Sequence, residues 1–269
     1  MVQKRNNLRV LVTGASKGIG YTIAKTLSEN GYSVIGTCRN PEFLSNRIFG
    51  VVYVELDLSS DRSIECCAES VGCVDILINN AGQSQMGSAE DTSPSDYREL
   101  MQINFFGLAY LTSLIIPSMR KAGFGKILNI GSLIASFPVA YYTNYASTKA
   151  ATKAYSFALS MELEPFNIQV AVLEPHDVKT TIKPKLIGGS GVYKKYISTL
   201  NENVRYSMEK ARSPQLVADK VLKIISKKKM APIYIMGMKS KLLALGKRFT
   251  SQGFVNKNVY KSFGLKNIG

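Results

Sequence analysis

Tyr145 and Lys149 stand four residues apart in the run Tyr145-Ala146-Ser147-Thr148-Lys149. On a helix that spacing puts both side chains on one face. An ammonium beside a phenol favours the phenolate, so the tyrosine pKa is expected to fall from its reference of about 10 towards neutrality. Such a phenol can pass a proton to a carbonyl oxygen, or take one from an alcohol, as hydride moves at the adjoining carbon. Ser132 ends the run Asn129-Ile130-Gly131-Ser132, where its hydroxyl can hydrogen-bond the same oxygen. Asn104 falls in a long helix. A buried amide there needs partners, and holding a water for proton exchange is one way to supply them. The Tyr-x-x-x-Lys spacing is not selective alone, because the chain has 14 Tyr and pairs such as those near Tyr193 and Tyr206 arise by chance. Weight comes from what lies upstream.

Thr13-Gly14-Ala15-Ser16-Lys17-Gly18-Ile19-Gly20 follows an apolar strand and opens a helix. Glycines there permit a tight turn and let the backbone approach a pyrophosphate at a helix N-terminus. The spacing is G-x-x-x-G-x-G, not the commoner G-x-G-x-x-G. No Lys-Ser/Thr pair closes the loop, which argues against a nucleotide triphosphatase. The second strand ends Gly36-Thr37-Cys38-Arg39-Asn40, without the acid that grips the ribose of NAD about 20 residues on. Arg39 and Lys17 are instead cations that suit the additional phosphate of NADP(H).

Positioning these groups takes alternating strands and helices. Leu8–Thr13, Ser33–Thr37, Val51–Leu56, Asp75–Asn79, Gly125–Ile130, Ile168–Glu174 and Pro232–Met236 read as strands. Tyr21–Asn30, Tyr97–Lys121, Ala146–Glu164 and Gln215–Lys229 read as helices, the second bent or ended early at Pro117. The pattern predicts an α/β fold: a doubly wound parallel sheet of Rossmann type, one domain over residues 1–238. Residues 183–213 interrupt it without a clean period and are placed to cover the crevice beyond the strand ends. Residues 239–269 form a basic amphipathic extension. Of 34 Lys+Arg and 19 Asp+Glu, residues 183–269 hold 19 and 3, so the positive excess sits in the last third. Cys38, Cys66, Cys67 and Cys73 make neither a disulfide framework nor a metal array, which points to a reduced, cytoplasmic protein without structural metal. The start is not a signal peptide, and no run approaches the roughly 20 apolar residues of a membrane span.

These linked motifs resemble the short-chain dehydrogenase/reductase family in its classical form, over residues 7–235. The resemblance implies that Gly14, Ser16, Lys17, Gly18, Ile19, Gly20 and Arg39 contact the cofactor. It places the Asp57 carboxylate, with Leu58, at the adenine ring, and Asn79-Asn80-Ala81-Gly82 beside the cofactor, steadying the central sheet. Asn104, Ser132, Tyr145 and Lys149 match the catalytic tetrad, and Lys149 is also expected on the nicotinamide ribose. Pro175, Val178 and Thr180 fit the cofactor-binding run after the sixth strand. His176 replaces the usual glycine there, so the backbone must suit an L-residue. Gly131 stands where a serine is frequent. The long tail is similar to that of the hydroxysteroid and retinol dehydrogenase-like members.

A pocket built from Gln83–Gly87, Leu133–Tyr142 and the segment from His176 to Tyr206 is expected to be apolar and aromatic-edged. Its expected walls include Met86, Pro138, Tyr141, Ile182, Leu186, Ile187 and Tyr193. It suits a lipophilic alcohol or ketone, a steroid or bile acid first, with Lys183, Lys185, Lys194 and Lys195 available to a substrate carboxylate. The alternative is reduction of an acyl, sphingoid or retinoid carbonyl at a membrane surface, the basic tail lying on anionic head groups. A non-enzymatic nucleotide-binding protein fits an intact tetrad poorly, and no nucleic-acid recognition motif accompanies the basic segment. The resemblance also implies a homodimer or homotetramer through the helices that contain Tyr97–Met119 and Ala146–Leu163.

Overall fold

The first apolar run splits its side chains between two cores. Val10 and Val12 of β1 (Arg9–Val12) enter one cluster, and Leu11 enters another on the opposite side. β4 (Ile76–Asn79) does the same with Ile76 and Ile78 against Leu77. Period-two burial on both faces marks a parallel sheet covered on each side. The computed structural model describes residues 7–176, 178–179, 183–188 and 191–265, except the side chains of Lys239 and Arg248. Thr180 and Ile182 lie outside the described residues.

With β2 (Ser33–Cys38), β3 (Val52–Glu55), β6 (Gly125–Ile130), β7 (Ile168–Glu174) and β9 (Ile233–Ile235), the sheet has seven strands in the order β3-β2-β1-β4-β6-β7-β9. All its pairings are parallel, with Val12 beside Gly36 and Asn79 beside Asn129. Strand order reverses between β1 and β4, which opens a crevice beyond their carboxyl ends. α1 (Gly18–Glu29) and α7 (Gln215–Ile225) cover one face. α2 (Asp61–Val71), α4 (Gly107–Ala122) and α5 (Thr143–Glu162) cover the other. A polar thread crosses the second layer. Asn79 donates to Asn129 at 2.8 Å and to Thr112 at 3.0 Å, and Asn129 donates to Ser156 at 2.8 Å.

Three expectations need correction. α4 runs through Pro117 to Ala122, so the proline ends nothing. The irregularity lies earlier, where α3 (Pro94–Met101) joins α4 through a π-helical turn, Gln102–Phe106, that contains Asn104. The whole helix, Pro94–Ala122, is 29 residues long with mean hydropathy 1.5 in its most apolar window, enough to cross a bilayer by length and composition. Leu111, Ile115 and Met119 are nevertheless buried against the sheet, so its apolar face is spent on the core.

The segment expected to lack regular structure has it. β8 (Lys185–Ile187) pairs with β5 (Gln85–Gly87), and α6 (Lys194–Glu209) buries Ile197 and Leu200. That helix packs with Val259, Phe263 and Leu265 of the tail, whose helices are α8 (Met238–Gly246) and α9 (Gln252–Ser262). Tyr196, Ile197, Leu200 and Val204 of α6 follow a helical period, and long-range packing on the tail completes the layer.

Candidate active site

The turn after β1 is made for close backbone approach. Gly14 and Gly18 have φ of +70° and +60°. A Cβ on Gly20 would stand 2.2 Å from the Gly14 carbonyl oxygen, so only glycine fits. Asn80 Nδ2 donates to the Thr13 carbonyl at 2.9 Å, and the N–H groups of Asn80 and Ala81 donate to Thr13 Oγ1 at 2.9 and 3.0 Å. The β1 and β4 loops are thereby locked together.

Helix caps indicate what this turn can hold. Ser60, Ser93 and Ser251 cap α2, α3 and α9 with side-chain hydrogen bonds, but Lys17 at the N-cap of α1 makes none. α5, α6, α7 and α8 also start without such a bond; what sets α1 apart is that Gly18, Ile19 and Gly20 of its first turn line the cleft, where their N–H groups can meet an anion. Asp57 lines the same cleft. Burial opposes its charge, but hydrogen bonds from the Ser59 hydroxyl (2.6 Å) and N–H (2.9 Å), with the nearby Arg39 charge, hold its carboxyl below the usual range. These residues fit a dinucleotide.

The far end of the cleft is organised by α5. Tyr145 and Lys149 share its inward face, and Lys149 Nζ donates to the Ile130 carbonyl at 3.2 Å. Ser132 follows β6 and caps a short turn, its Oγ accepting the Ile134 N–H at 3.3 Å, which leaves the hydroxyl proton to be donated. Asn104 is buried and bound on every side: Oδ1 accepts from the Gln83 N–H at 2.8 Å, while Nδ2 donates to the Gln83 carbonyl at 2.9 Å and to Thr148 at 3.1 Å. Its side chain braces the β4 loop against α5. Gly82 leaves space at this junction. A Cβ there would lie 3.0 Å from Asn104 Oδ1 and 3.7 Å from Lys149 Nζ.

The expected direction of the tyrosine shift is reversed. Burial pushes the Tyr145 phenol up to about 12, with the Ser132 hydrogen bond acting the other way. Burial likewise pushes the Lys149 ammonium down to about 8. Nζ lies 5.9 Å from the ring centroid and is directed to a backbone carbonyl, so loss of solvent outweighs their mutual attraction. At neutral pH the phenol holds its proton.

One continuous cleft of about 1630 Å³ is lined by Gly14, Ser16, Lys17, Gly18, Ile19, Gly20, Arg39, Asp57, Leu58, Asn80, Ala81, Gly82, Ser132, Tyr145, Lys149, Pro175 and Val178. Asn104 stands just behind it, and Thr180 falls outside the described residues. His176 lines the cleft and is exposed, and it is not among the described non-glycine residues with positive φ. A histidine therefore takes the place of glycine without backbone strain.

The substrate end differs from expectation. Leu133, Ile134, Phe137, Val139 and Tyr142 line the cleft, but Met86 is turned into a small core. Tyr141 packs against Tyr193 and Tyr196, while Leu186 and Ile187 are taken up by β8. Of the four lysines offered to a carboxylate, Lys183 alone lines the cleft; Lys185 is held by Asp96 at 3.0 Å and Glu99 at 2.7 Å. The rest of the wall comes from α6, with Asn201, Val204 and Arg205 inside the segment expected to supply it, and from unforeseen tail residues, among them Leu242, Leu243, Lys247, Phe254, Val259 and Phe263. The sequence signal was an apolar, basic tail with no assigned place. Lys153, eight residues after Tyr145 on the same helical face, was also overlooked; it pairs with buried Glu174 at 2.8 Å.

Comparisons with known proteins agree with this geometry. The family profile described as short chain dehydrogenase matches residues 8–188. The 3-ketodihydrosphingosine reductase of Bacteroides thetaiotaomicron is 37% identical over 175 residues, and the match covers 64% of each chain, just under two thirds of that relative's length. A probable short-chain type dehydrogenase/reductase, VdlC, of Helicobacter pylori is 30% identical over 246 residues, or 87% of this chain and 89% of the relative. A crystal structure of a short-chain dehydrogenase from Streptomyces avermitilis superposes with a TM-score of 0.80 at 27% identity, covering 96% of this chain and 98% of that one. The protein is an oxidoreductase of the short-chain dehydrogenase/reductase family, whose enzymes work with nicotinamide cofactors.

Proposed function

We propose that this protein is an NADP(H)-dependent reductase that interconverts a ketone and a secondary alcohol on a long lipophilic substrate, with Tyr145 as the proton donor. The observation that carries this reading is one continuous cleft that holds Tyr145, Ser132 and Lys149 together with the glycine turn at the start of α1 and with Leu133, Phe137, Tyr142 and Phe254. The glycine turn, Asp57 and Lys149 would hold NADPH in the cleft, where it would supply the hydride that a carbonyl carbon takes up. Tyr145 gives its proton to the carbonyl oxygen, and the Ser132 hydroxyl donates to that oxygen while charge develops there. Lys149 would hold the nicotinamide ribose, and its charge would offset the phenolate that remains. Asn104 keeps α5 and the β4 loop in register. Preference for the 2′-phosphate rests on Lys17 and Arg39 in the cleft, with no acid at the end of β2.

The cleft is larger than the roughly 300–1,000 Å³ of a common small-molecule site, leaving room for a cofactor and a long chain together. Within the lipophilic class, a long-chain keto lipid is favoured, because one relative is named for a keto-sphingoid substrate. A steroid or bile acid is the second reading, supported by the aromatic edges of Phe137, Tyr142, Phe254 and Phe263 on the wall. Peripheral contact of a cytoplasmic protein with an anionic bilayer belongs to the same proposal. After Asp219 the chain has no acidic residue, and Met238, Leu242, Leu243, Leu245 and Phe249 are exposed. Burial, with the charges of Lys241, Lys227 and Lys223 crowding round it, lowers the pKa of Lys220. Self-association through the outer faces of α4 and α5 completes the proposal, the adjoining Phe106 and the α5 residue Met161 being exposed.

The test is NADPH oxidation with long-chain keto lipids and keto steroids, free and in anionic vesicles, by the native protein and Tyr145→Phe. Native turnover of long-chain ketones is expected to rise with anionic vesicles at low salt. Tyr145→Phe is expected to be at least about a hundredfold slower while still binding NADPH. Undiminished turnover by Tyr145→Phe removes the acid assignment, and turnover of steroids alone moves the substrate to the second reading.

A further inference from the structure

Ser136 joins three parts of the molecule that the proton transfer does not itself use. Its hydroxyl accepts a hydrogen bond from Lys153 Nζ at 2.6 Å and donates to Glu174 Oε2 at 3.0 Å. Its carbonyl accepts from Lys247 Nζ at 2.5 Å. Lys153 lies one helical turn beyond Lys149 and two beyond Tyr145, so α5 presents a phenol and two ammonium groups in a row. Glu174 is the last residue of β7 and is fully buried, which makes Lys153 its necessary counter-ion. Lys247 arrives from the turn between α8 and α9, its ammonium 5.5 Å from the centroid of the Phe137 ring. It lines the cleft, and its contacts with Ser136 and Phe137 involve no carboxylate.

The two ends of this turn are tied together. Ser132 opens it, the Ala135 N–H returns to the Ser132 carbonyl at 3.0 Å, and the Ser136 N–H reaches the Leu133 carbonyl at 2.9 Å. The Leu133 N–H also bonds the Pro175 carbonyl at 3.2 Å. A turn this short moves as a unit, so a group that fixes Ser136 also fixes the Ser132 hydroxyl.

We propose that Lys247 is a positioning residue: a latch through which the C-terminal segment holds the Ser132 turn in register with Tyr145, working against the buried Lys153–Glu174 anchor. This rests on the roles proposed above for Ser132 and Tyr145. Lys247 acts through the Ser136 carbonyl, so its loss lowers the rate of the bound complex and not the capture of cofactor. The segment that walls the lipophilic end of the cleft also keeps the proton-donating end aligned.

The test compares Lys247→Met and Lys247→Arg for kcat, KM and NADPH affinity by nicotinamide fluorescence. Methionine keeps the apolar stem and removes the donor. Lys247→Met is expected to lower kcat about tenfold, since a small misplacement of a catalytic group has a cost of that order or more. Its KM is expected to stay within about twofold, with NADPH affinity unchanged, and Lys247→Arg to recover most of the rate. Because latch and anchor meet at one residue, Lys247→Met combined with Ser136→Ala is expected to lose less than the product of the single losses. If Lys247→Met folds poorly, Lys247→Gln takes its place beside Lys247→Arg, with lowered and near-native kcat expected, and a native rate in Lys247→Gln overturns the proposal. A kcat for Lys247→Met within twofold of native overturns the proposal, as does an equal loss in Lys247→Arg. Tyr145→Phe in the same assay separates the two ideas. A dead Tyr145→Phe beside a native-rate Lys247→Met overturns the latch alone, while an active Tyr145→Phe overturns the reading beneath it.

Discussion

Tyr206 of α6 and Lys210, the residue that caps its C-terminus, repeat the residue types and spacing of Tyr145 and Lys149 on α5, and they are the closer pair. Lys210 Nζ is 3.9 Å from the Tyr206 ring centroid and hydrogen-bonds its hydroxyl, whereas Lys149 Nζ stands 5.9 Å from the Tyr145 ring. Yet Tyr206 is 59% exposed and does not line the cleft. The α5 pair is set against the end of β6, facing Ser132, with its lysine buried. A four-residue spacing only places two groups on one helical face. Withdrawal from water and a neighbouring strand end turn such a pair into a proton-transfer device, while an exposed pair is screened to little consequence.

The comparison breaks most easily at the lysines. Lys149→Met is expected to reduce turnover about a hundredfold or more and to weaken NADPH binding, since it removes the cation beside both the phenol and the proposed ribose site. Lys210→Met is expected to leave both within twofold. Steady-state kinetics and fluorescence titration of the two variants decide this. Comparable losses in both would mean that the buried setting does not distinguish them.

Much of the α5 setting was legible before any coordinates. Backbone requirements write themselves into residue types. The turn at Gly14–Gly20 needs glycines because a Cβ at position 20 has nowhere to go, and strands buried on both faces need unbroken apolar runs. The helical face shared by Tyr145 and Lys149 follows from spacing alone. What remained hidden depends on contacts between distant segments. Lys247 reaches Ser136 across 111 positions, and Asn203 of α6 donates to the Phe263 carbonyl at 2.9 Å across 60. The stripe Tyr193, Tyr196, Ile197, Leu200 and Val204 does carry the helical spacing of α6, overshadowed by the glycines just before it; what covers that stripe, a tail far away in the chain, is not legible locally. The sign of the tyrosine shift was hidden for a related reason. Attraction between neighbours can be read from spacing, but the depth of burial that overrides it cannot.

Exposure alone does not disqualify a cation, and Lys17 and Arg39 sharpen the comparison on that point. Both are exposed, as Lys210 is, but both line the cleft beside the open first turn of α1. Replacing both with alanine is expected to lower kcat/KM for NADPH roughly tenfold to a hundredfold and to leave NADH little changed, because only the former carries the doubly charged ribose phosphate. The ratio of the two specificity constants is the measurement. Equal losses with both cofactors would place these charges at the pyrophosphate instead.

The finest distinction between the two lysines is in the pH dependence of stability. Burial lowers Lys149 from an ordinary 10.5 to about 8 in the folded chain. Below pH 8 both folded and unfolded chains hold its proton, and the full penalty of a buried charge is present. Between pH 8 and 10.5 the unfolded chain binds the proton more tightly than the folded one, so stability rises with pH from this source. Tyr145, raised from 10 to about 12, acts in the opposite sense, but only above pH 10. Lys126, also lowered by burial, contributes equally to the native protein and to a Lys149 variant, and cancels in their difference. Native stability minus that of Lys149→Met is therefore expected to increase by about 1 kcal/mol from pH 8 to pH 9 in urea unfolding. The same difference for Lys210→Met is expected to be flat. A flat line for both would show that the inward ammonium is not desolvated, and the contrast between the α5 and α6 pairs would reduce to position alone.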